Sequence, residues 1–356
     1  MFLGSRCSVV PTKSSVNNGT LWRARLVPVA TPSYHPQHLS SFHADLQDTF
    51  PHCYHLMFGF SHAIGDCHTF IRICAAFSHI LDSVLSGQEV DTEQIGCFDL
   101  NEEYDTRQRK LKKGCSKMKC GRRNAFVNED RPKKTLLYTQ TLDKAATTRL
   151  VEKCRAAKVT LSSFMAAACN LALVDLVVEK GIVQDTYSVS NVHMINIRRA
   201  WPKETNERAF GCYIASSLRQ FFVIPCTVSD EQFWQYTREI HRKFHGLLQD
   251  KLFMEKEAFV LWCYGTGNVQ NIRSDLSFNT RGNTTQRFEG TKEITVTNLL
   301  SSTSIHNSSI PWDDDVGTVR GCLSHTTKYN TSMVSEATAL LYSELVYARL
   351  LKITKP

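Results

Sequence analysis

The sequence predicts an α/β protein of layered sheets flanked by helices, on three observations. At 356 residues with 42% hydrophobic and 21% charged side chains, the chain has the composition of a large globular unit and enough apolar surface to bury a substantial core. Near residue 54 an apolar period of two gives way, after a short turn, to the three-and-four spacing of a helix. Beyond residue 134 strand-like and helix-like segments alternate.

The first probable strand is Leu21 to Val29, where apolar and polar positions alternate. From Tyr54, the residues Leu56, Phe58 and Phe60 alternate with His55, Met57 and Gly59, the pattern of a strand with one apolar face. A turn, Ser61-His62-Ala63-Ile64-Gly65-Asp66, leads to a helical stripe of Phe70, Ile73, Cys74, Phe77, Ile80, Leu81, Val84 and Leu85, stopped at Gly87. Periodicity fails between Gln88 and Lys134, which reads as a solvated crossover linker. Leu136 to Leu142 then reads as a strand, Asp143 to Ala157 as a helix, and Thr160 as the N-cap of an apolar helix from Leu161 to Val178. Tyr187 to Ile197 and Gly211 to Val223 read as strands. Ser229 and Gln232 have the spacing of a capping box. Glu293 to Leu299 reads as a strand followed by a Ser/Thr-rich loop, and Ser335 to Leu351 as a closing helix.

The formal charge of +8 belongs to one place. Residues 107–134 hold 12 Lys/Arg and two acids, a local balance of +10, so the remainder of the chain sums to −2. The segment has three readings: a solvated linker, a surface for RNA or an anionic membrane, or a steering patch for phosphates at a channel mouth. No aromatic residue lies between Arg107 and Arg123, which disfavours base stacking. The longest apolar run, Met165 to Leu173 with Val174 to Val178 beyond Asp175, falls short of the roughly 20 residues of a bilayer span. Thirteen scattered cysteines and an N-terminus without a secretory apolar core point to reduced thiols and a cytoplasmic location. The absence of acids before Asp45 gives the N-terminus some likeness to an organelle transit peptide.

His62 and Asp66 stand in the turn between a strand's carboxyl end and a helix, where α/β sheets open their clefts. An imidazole there suits a general base, with the carboxylate folding back to hold the loop. The plain alternative is a capped turn, with His62 a satisfied polar residue and Asp66 only the helix N-cap. The spacing His-x-x-x-Asp alone does not choose between them.

The wider pattern Phe58-Gly59-Phe60-Ser61-His62-Ala63-Ile64-Gly65-Asp66 resembles the active-site segment of the acyl-CoA-dependent acyltransferase superfamily, which includes plant-type acyltransferases, alcohol acetyltransferases and peptide-synthetase condensation domains. Other segments follow in the family's order. Gly19 to Arg23 is similar to its Leu-Trp-Arg strand, Val159 to Ala168 to a later helix, Asn196-Ile197-Arg198 to an Asn-[Leu/Ile]-Arg strand end, and Thr295 to Leu299 to a late strand ending in Ser/Thr-Asn. This chain departs from the family in carrying Cys67 where Gly usually follows the aspartate and a single histidine where condensation domains carry two. It also lacks the Asp-Phe-Gly-Trp-Gly signature of the plant branch.

The resemblance implies a two-lobed, chloramphenicol-acetyltransferase-like fold of mixed sheets, with residues 1–106 an incomplete N-terminal lobe, 107–134 the basic crossover and 135–356 the C-terminal lobe. It implies transfer of an acyl group from an acyl-CoA co-substrate to a small alcohol or amine, with no bound cofactor. His62 would be the general base, Asp66 its structural partner in an ion pair with Arg198, Ser61 and Gly65 part of the motif turn, and Thr297 and Asn298 candidates for the oxyanion or substrate channel. A monomer without nucleic-acid partner or transmembrane segment is expected. The alternative is a catalytically inactive protein of the same fold that binds a ligand or partner.

The remaining features are read as structural. His241 and His245 share a helix face but lack further ligands, Cys115 and Cys120 lack a second pair, and Asp313-Asp314-Asp315 reads as a surface turn. No metal site is assigned. Gly265-Thr266-Gly267 lacks the length and lysine of a phosphate loop. The sequons at Asn18, Asn283, Asn307 and Asn330 matter only if the chain is secreted.

Overall fold

The computed structural model describes residues 7–8, 22–28, 52, 54–61, 64–90, 97–98, 134–196, 198, 209–211, 213–216, 220–225, 228–249, 274–296, 299 and 310–355. Near the N-terminus, Cys7–Ser8 forms the short strand β1. Strands β2 (Trp22–Pro28) and β3 (Tyr54–Phe60) pair antiparallel as a separate two-stranded sheet. The period-two pattern of β3 sends Leu56, Phe58 and Phe60 to the half-buried side while Met57 stays exposed. That side rests on helix α1 (Cys67–Leu85), with Phe60 stacked on Phe70 at 4.5 Å and Phe58 edge-on to Phe77 at 5.3 Å. The helix starts three residues before Phe70 and ends at Ser86, followed by Gly87 at φ +67°, the left-handed conformation that glycine takes cheaply at a helix end.

The remaining elements build one mixed sheet and its helices. In chain order they are β4 (Cys97–Phe98), β5 (Thr135–Leu142), α2 (Lys144–Ala156), α3 (Leu161–Glu179), β6 (Thr186–Asn196), β7 (Ala209–Phe210), β8 (Ile214–Ser216), β9 (Gln220–Pro225), α4 (Asp230–Gln249), β10 (Leu276–Asn283), β11 (Trp312–Val319), β12 (Cys322–Asn330) and α5 (Glu336–Thr354). Eight strands form the large sheet in the order β1-β5-β12-β11-β10-β6-β8, with β9 also on β6. Strand β10 runs parallel to both neighbours, and the other pairs in this sheet are antiparallel. Strands β4 and β7 make a short parallel bridge.

Local caps fix the helix starts. Asp143, Thr160 and Ser335 each accept an N–H from the residue three on, and Ser229 and Gln232 exchange reciprocal hydrogen bonds of 2.8 and 3.3 Å. Helix α3 is long and apolar enough to cross a membrane, and here it is the core of the helical layer. Phe164 to Ala172 are all buried, under α4, α5 and the sheet. Each large apolar side chain so buried contributes about 1.5–3 kcal/mol, and the small Ala166, Ala167, Ala168 and Ala172 leave room for close neighbours.

The single strand expected from Gly211 to Val223 is divided, β8 and β9 pairing with different parts of β6. Strands β10, β11 and β12 are additions to the sequence reading. Their helix-facing side carries Leu276, Phe278, Trp312, Val316, Leu323 and Tyr329 together with the buried Asp314, His325 and Thr327, and the other face carries acids, lysine, serine and threonine, which hides the alternation. Asp313, Asp314 and Asp315 are therefore not a surface turn: all three are buried on β11 in the middle of the sheet. Arg320 and Gly321, both at positive φ, close the β11–β12 hairpin as a two-residue loop whose twist matches the strands.

Candidate functional site

The turn after β3 is closed at its base, where the Ile64 N–H donates to the Ser61 carbonyl at 3.1 Å. Gly65 packs so tightly on the following helix that a Cβ there would lie 2.7 Å from Thr69 Cγ2, which accounts for glycine at this position. Asp66 performs both roles the sequence left open. Its Oδ1 caps α1 by accepting the Thr69 N–H at 2.8 Å, and its two oxygens accept a parallel pair of hydrogen bonds from Arg198, Nη1 to Oδ2 at 2.7 Å and Nη2 to Oδ1 at 3.0 Å. The Tyr213 N–H adds a donor at 2.8 Å to Oδ2. Burial pushes the Asp66 carboxyl upward, and the Arg198 guanidinium together with the two backbone donors more than offsets this, holding it below the usual carboxylate range.

The guanidinium is itself held from several sides. Nη2 also donates to Thr69 Oγ1 at 2.9 Å and to the Gly211 carbonyl at 3.1 Å, and the Arg198 group lies 4.6 Å from the Tyr213 ring centroid. Asn196 Oδ1 accepts the Arg198 N–H at 3.1 Å and Nη1 at 3.3 Å, which gives the asparagine of the Asn-x-Arg strand end a structural task. Thr69 Oγ1 donates to the Gly211 carbonyl at 2.6 Å and accepts the Gly211 N–H at 3.1 Å. Asp66 is fully buried and Arg198 nearly so. A bidentate pair in such surroundings fixes orientation as well as charge.

Cys67, in the place where the family carries glycine, is the first residue of α1. It is not among the residues at positive φ, so its side chain leaves the turn unstrained. His68 accepts Arg287 Nη2 at 3.3 Å. Burial, then the charges of Arg198 and Arg287, pull its pKa down to about 4, so this imidazole is neutral at neutral pH.

The far end of α1 is also tied to residues distant in sequence. Asp82 accepts the consecutive N–H groups of Lys292, Glu293 and Ile294 at 2.6–3.0 Å. The expected strand from Glu293 to Leu299 is thus corrected over its described residues: 293–296 form no strand, because a carboxylate rather than a neighbouring strand takes these donors. Val296 and Leu299 pack with Ile71, Ala75 and Phe288. Arg281, paired with Asp315 at 3.0 Å, donates to the Leu299 carbonyl, and it lies across Gly317, where a Cβ would come within 2.9 Å of its Nε.

The structure thus brings together Asp66 and Arg198, with Ser61 and Gly65 beside them. His62, Thr297 and Asn298 lie outside the described residues, as do Cys115, Cys120, Gly265 to Gly267 and the basic segment up to Lys133. Thr69, Gly211 and Tyr213 belong to the same network and were not singled out from sequence. Thr69 carried the N-cap spacing from Asp66, whereas nothing local marks Gly211 or Tyr213. His241 and His245 stack edge-on at 4.4 Å, and neither belongs to a cluster of three metal-ligating groups among the described residues. Asn330 is buried, its Oδ1 accepting from Ser332, so that sequon is closed to a glycan in the folded chain.

No protein-family model matches the chain, and no curated protein matches it. Solved structures do. The epimerization domain from the third module of tyrocidine synthetase B is 15% identical, with a TM-score of 0.56 over 85% of this chain and 69% of its own. The condensation domain of the Monacolin K polyketide synthase is 14% identical, with a TM-score of 0.55 over 85% of this chain and 70% of its own. The trichothecene 15-O-acetyltransferase of Fusarium sporotrichioides is 14% identical, with a TM-score of 0.50 over 71% of this chain and 54% of its own. The chain therefore has the mixed-sheet fold shared by condensation domains and acyltransferases.

Proposed function

We propose that the protein is an acyltransferase that moves an acyl group from an acyl-CoA thioester to a small hydroxyl or amine acceptor. The observation that supports this reading best is the bidentate Asp66–Arg198 pair, which braces the His62-containing turn from a distant part of the chain. In this reading His62 takes the acceptor's proton as oxygen or nitrogen attacks the thioester carbonyl. The carbon–sulfur bond then breaks, and the thiolate leaves with the electron pair. A thiol of ordinary pKa near 8.5 is a good leaving group, so the imidazole needs only to return the proton. Asp66 touches neither substrate in this scheme; it is a positioning residue. Thr297 and Asn298 are the candidates for stabilising the oxyanion.

A second reading rests on the epimerization domain among the structural neighbours, whose name denotes a reaction other than acyl transfer: the fold alone does not fix the chemistry. The chain would then bind a thioester or a partner without transferring the acyl group. A thiol-release assay with acetyl-CoA and a panel of alcohols and amines separates the two. Acceptor-dependent release supports the transferase. Saturable acetyl-CoA binding by the folded protein without release supports the binding protein.

A further inference from the structure

Three consecutive buried acids on β11 find their counter-charges differently. Asp313 and Asp315 project to one face of the sheet, where Lys328 Nζ lies 2.7 Å from Asp313 and 3.7 Å from Asp315, and Arg281 Nε lies 3.0 Å from Asp315. Asp314 projects to the opposite face, into the helical layer, and no lysine or arginine among the described residues pairs with it. It is wholly buried. Its Oδ1 meets His325 Nε2 at 2.8 Å and accepts from Thr327 Oγ1 at 2.9 Å, and its Oδ2 accepts from Tyr342 at 2.6 Å. These bonds satisfy its oxygens without supplying a permanent positive charge, and a charge isolated in a core is costly unless paired or metal-bound.

Cys169, inward-facing in the middle of α3, brings its Sγ to 3.9 Å from His325 Nε2. The three donor atoms, Cys169 Sγ, Asp314 Oδ and His325 Nε2, all lie within 4.8 Å of one another. We propose that Cys169, Asp314 and His325 form a buried divalent-metal site of the zinc class, which supplies the counter-charge of Asp314 and ties α3 to β11 and β12.

The donor set suits that cation. Thiolate, imidazole and carboxylate are the ligands zinc favours, and two anionic ligands with one neutral ligand balance a doubly charged ion. Thr327 and Tyr342 already hold the carboxylate from outside, as orienting partners of metal ligands do. Ligation at Cys169 Sγ would replace the thiol proton, which leaves to solvent, and ligation at His325 Nε2 would leave that ring its proton on Nδ1. None of the three residues hydrogen-bonds to Asp66 or Arg198, so the proposal does not depend on the acyl-transfer reading.

The test is elemental analysis of the full-length protein produced in zinc-supplemented medium and passed over a weak chelator. One equivalent of zinc per chain is expected, lost in Cys169→Ser and His325→Gln. Because core variants can fail to fold, the wild type is also measured: a strong chelator should lower its melting temperature and added zinc restore it. Cobalt in place of zinc should give a thiolate charge-transfer band. Folded wild-type protein with no zinc above a control protein and no response to the chelator would overturn the site, leaving an imidazole–carboxylate pair. Zinc retained in both variants would place the ion elsewhere and overturn it equally.

Discussion

Arg198 reaches Asp66 across 132 positions of sequence and grips it through two parallel hydrogen bonds of 2.7 and 3.0 Å. That pair joins the start of α1 to the end of β6, and its geometry belongs to a guanidinium. Lysine is a point charge without the planar fork. Arg198→Ala leaves a buried carboxylate without its cation and should cost about 3–5 kcal/mol, read from the denaturant midpoint. Arg198→Lys should recover only part of it, and full recovery would reduce the pair to simple charge.

His62→Ala should lower acyl transfer at least ~10²-fold, the lower range for a lost general base, with an unchanged circular dichroism spectrum. Steady-state thiol release checks it, and unaltered turnover would remove the imidazole from the reaction.

Stability should fall as the solution is acidified, in two steps. His68 has its pKa lowered to about 4 and His193, by burial, to about 3. Between those values and the ordinary 6.5, the unfolded chain binds protons that the folded chain refuses. Stability is therefore full above that range and declines as pH drops through it. Asp66, whose pKa is lowered, contributes stability present above its unfolded value of 3.8 and lost as pH falls through its folded value. Denaturant midpoints between pH 7 and pH 3 should show both, and His68→Gln should flatten the upper part of the curve only in part, since His193 remains.

Asp82→Ala should free the 291–296 segment from α1 while leaving the large sheet intact. The amides of Lys292, Glu293 and Ile294 lose the acceptor they share, so their hydrogen exchange should quicken by roughly tenfold or more as that segment opens locally. Unchanged exchange would show that packing of Val296 and Leu299 suffices.

Lys328 is fully buried between Asp313 and Asp315. Lys328→Met keeps much of its bulk and removes the charge, so two acids face each other with Arg281 alone. A loss of about 3–5 kcal/mol is expected. Adding Asp313→Asn should restore part of it, and a simple sum of the two single effects would argue against coupling.

Legibility in the sequence followed the local rules. The β3–α1 transition, the caps at Asp143, Thr160, Ser229 and Ser335, and the apolar α3 all carry signals within a few residues of themselves. Asp66 could be read twice, as a cap and as a paired acid, and Arg198 came from resemblance to a family, since no local pattern links residues so far apart. Strands β10 to β12 escaped because their second face buries charged and hydroxyl side chains that partner one another. A period of apolar residues cannot register a surface whose burial depends on pairing.

The amino-acid order alone determined where the chain turns, caps and changes period, because those preferences are settled by neighbouring residues through backbone sterics and short hydrogen bonds. Only the tertiary structure decided that Asp66 serves helix and guanidinium together, that Asp82 replaces a strand as acceptor, and that three acids on β11 belong in the core. Each of those outcomes depends on a partner brought close by folding, and a buried carboxylate is tolerable only once its counter-charge or its hydrogen-bond donors have arrived.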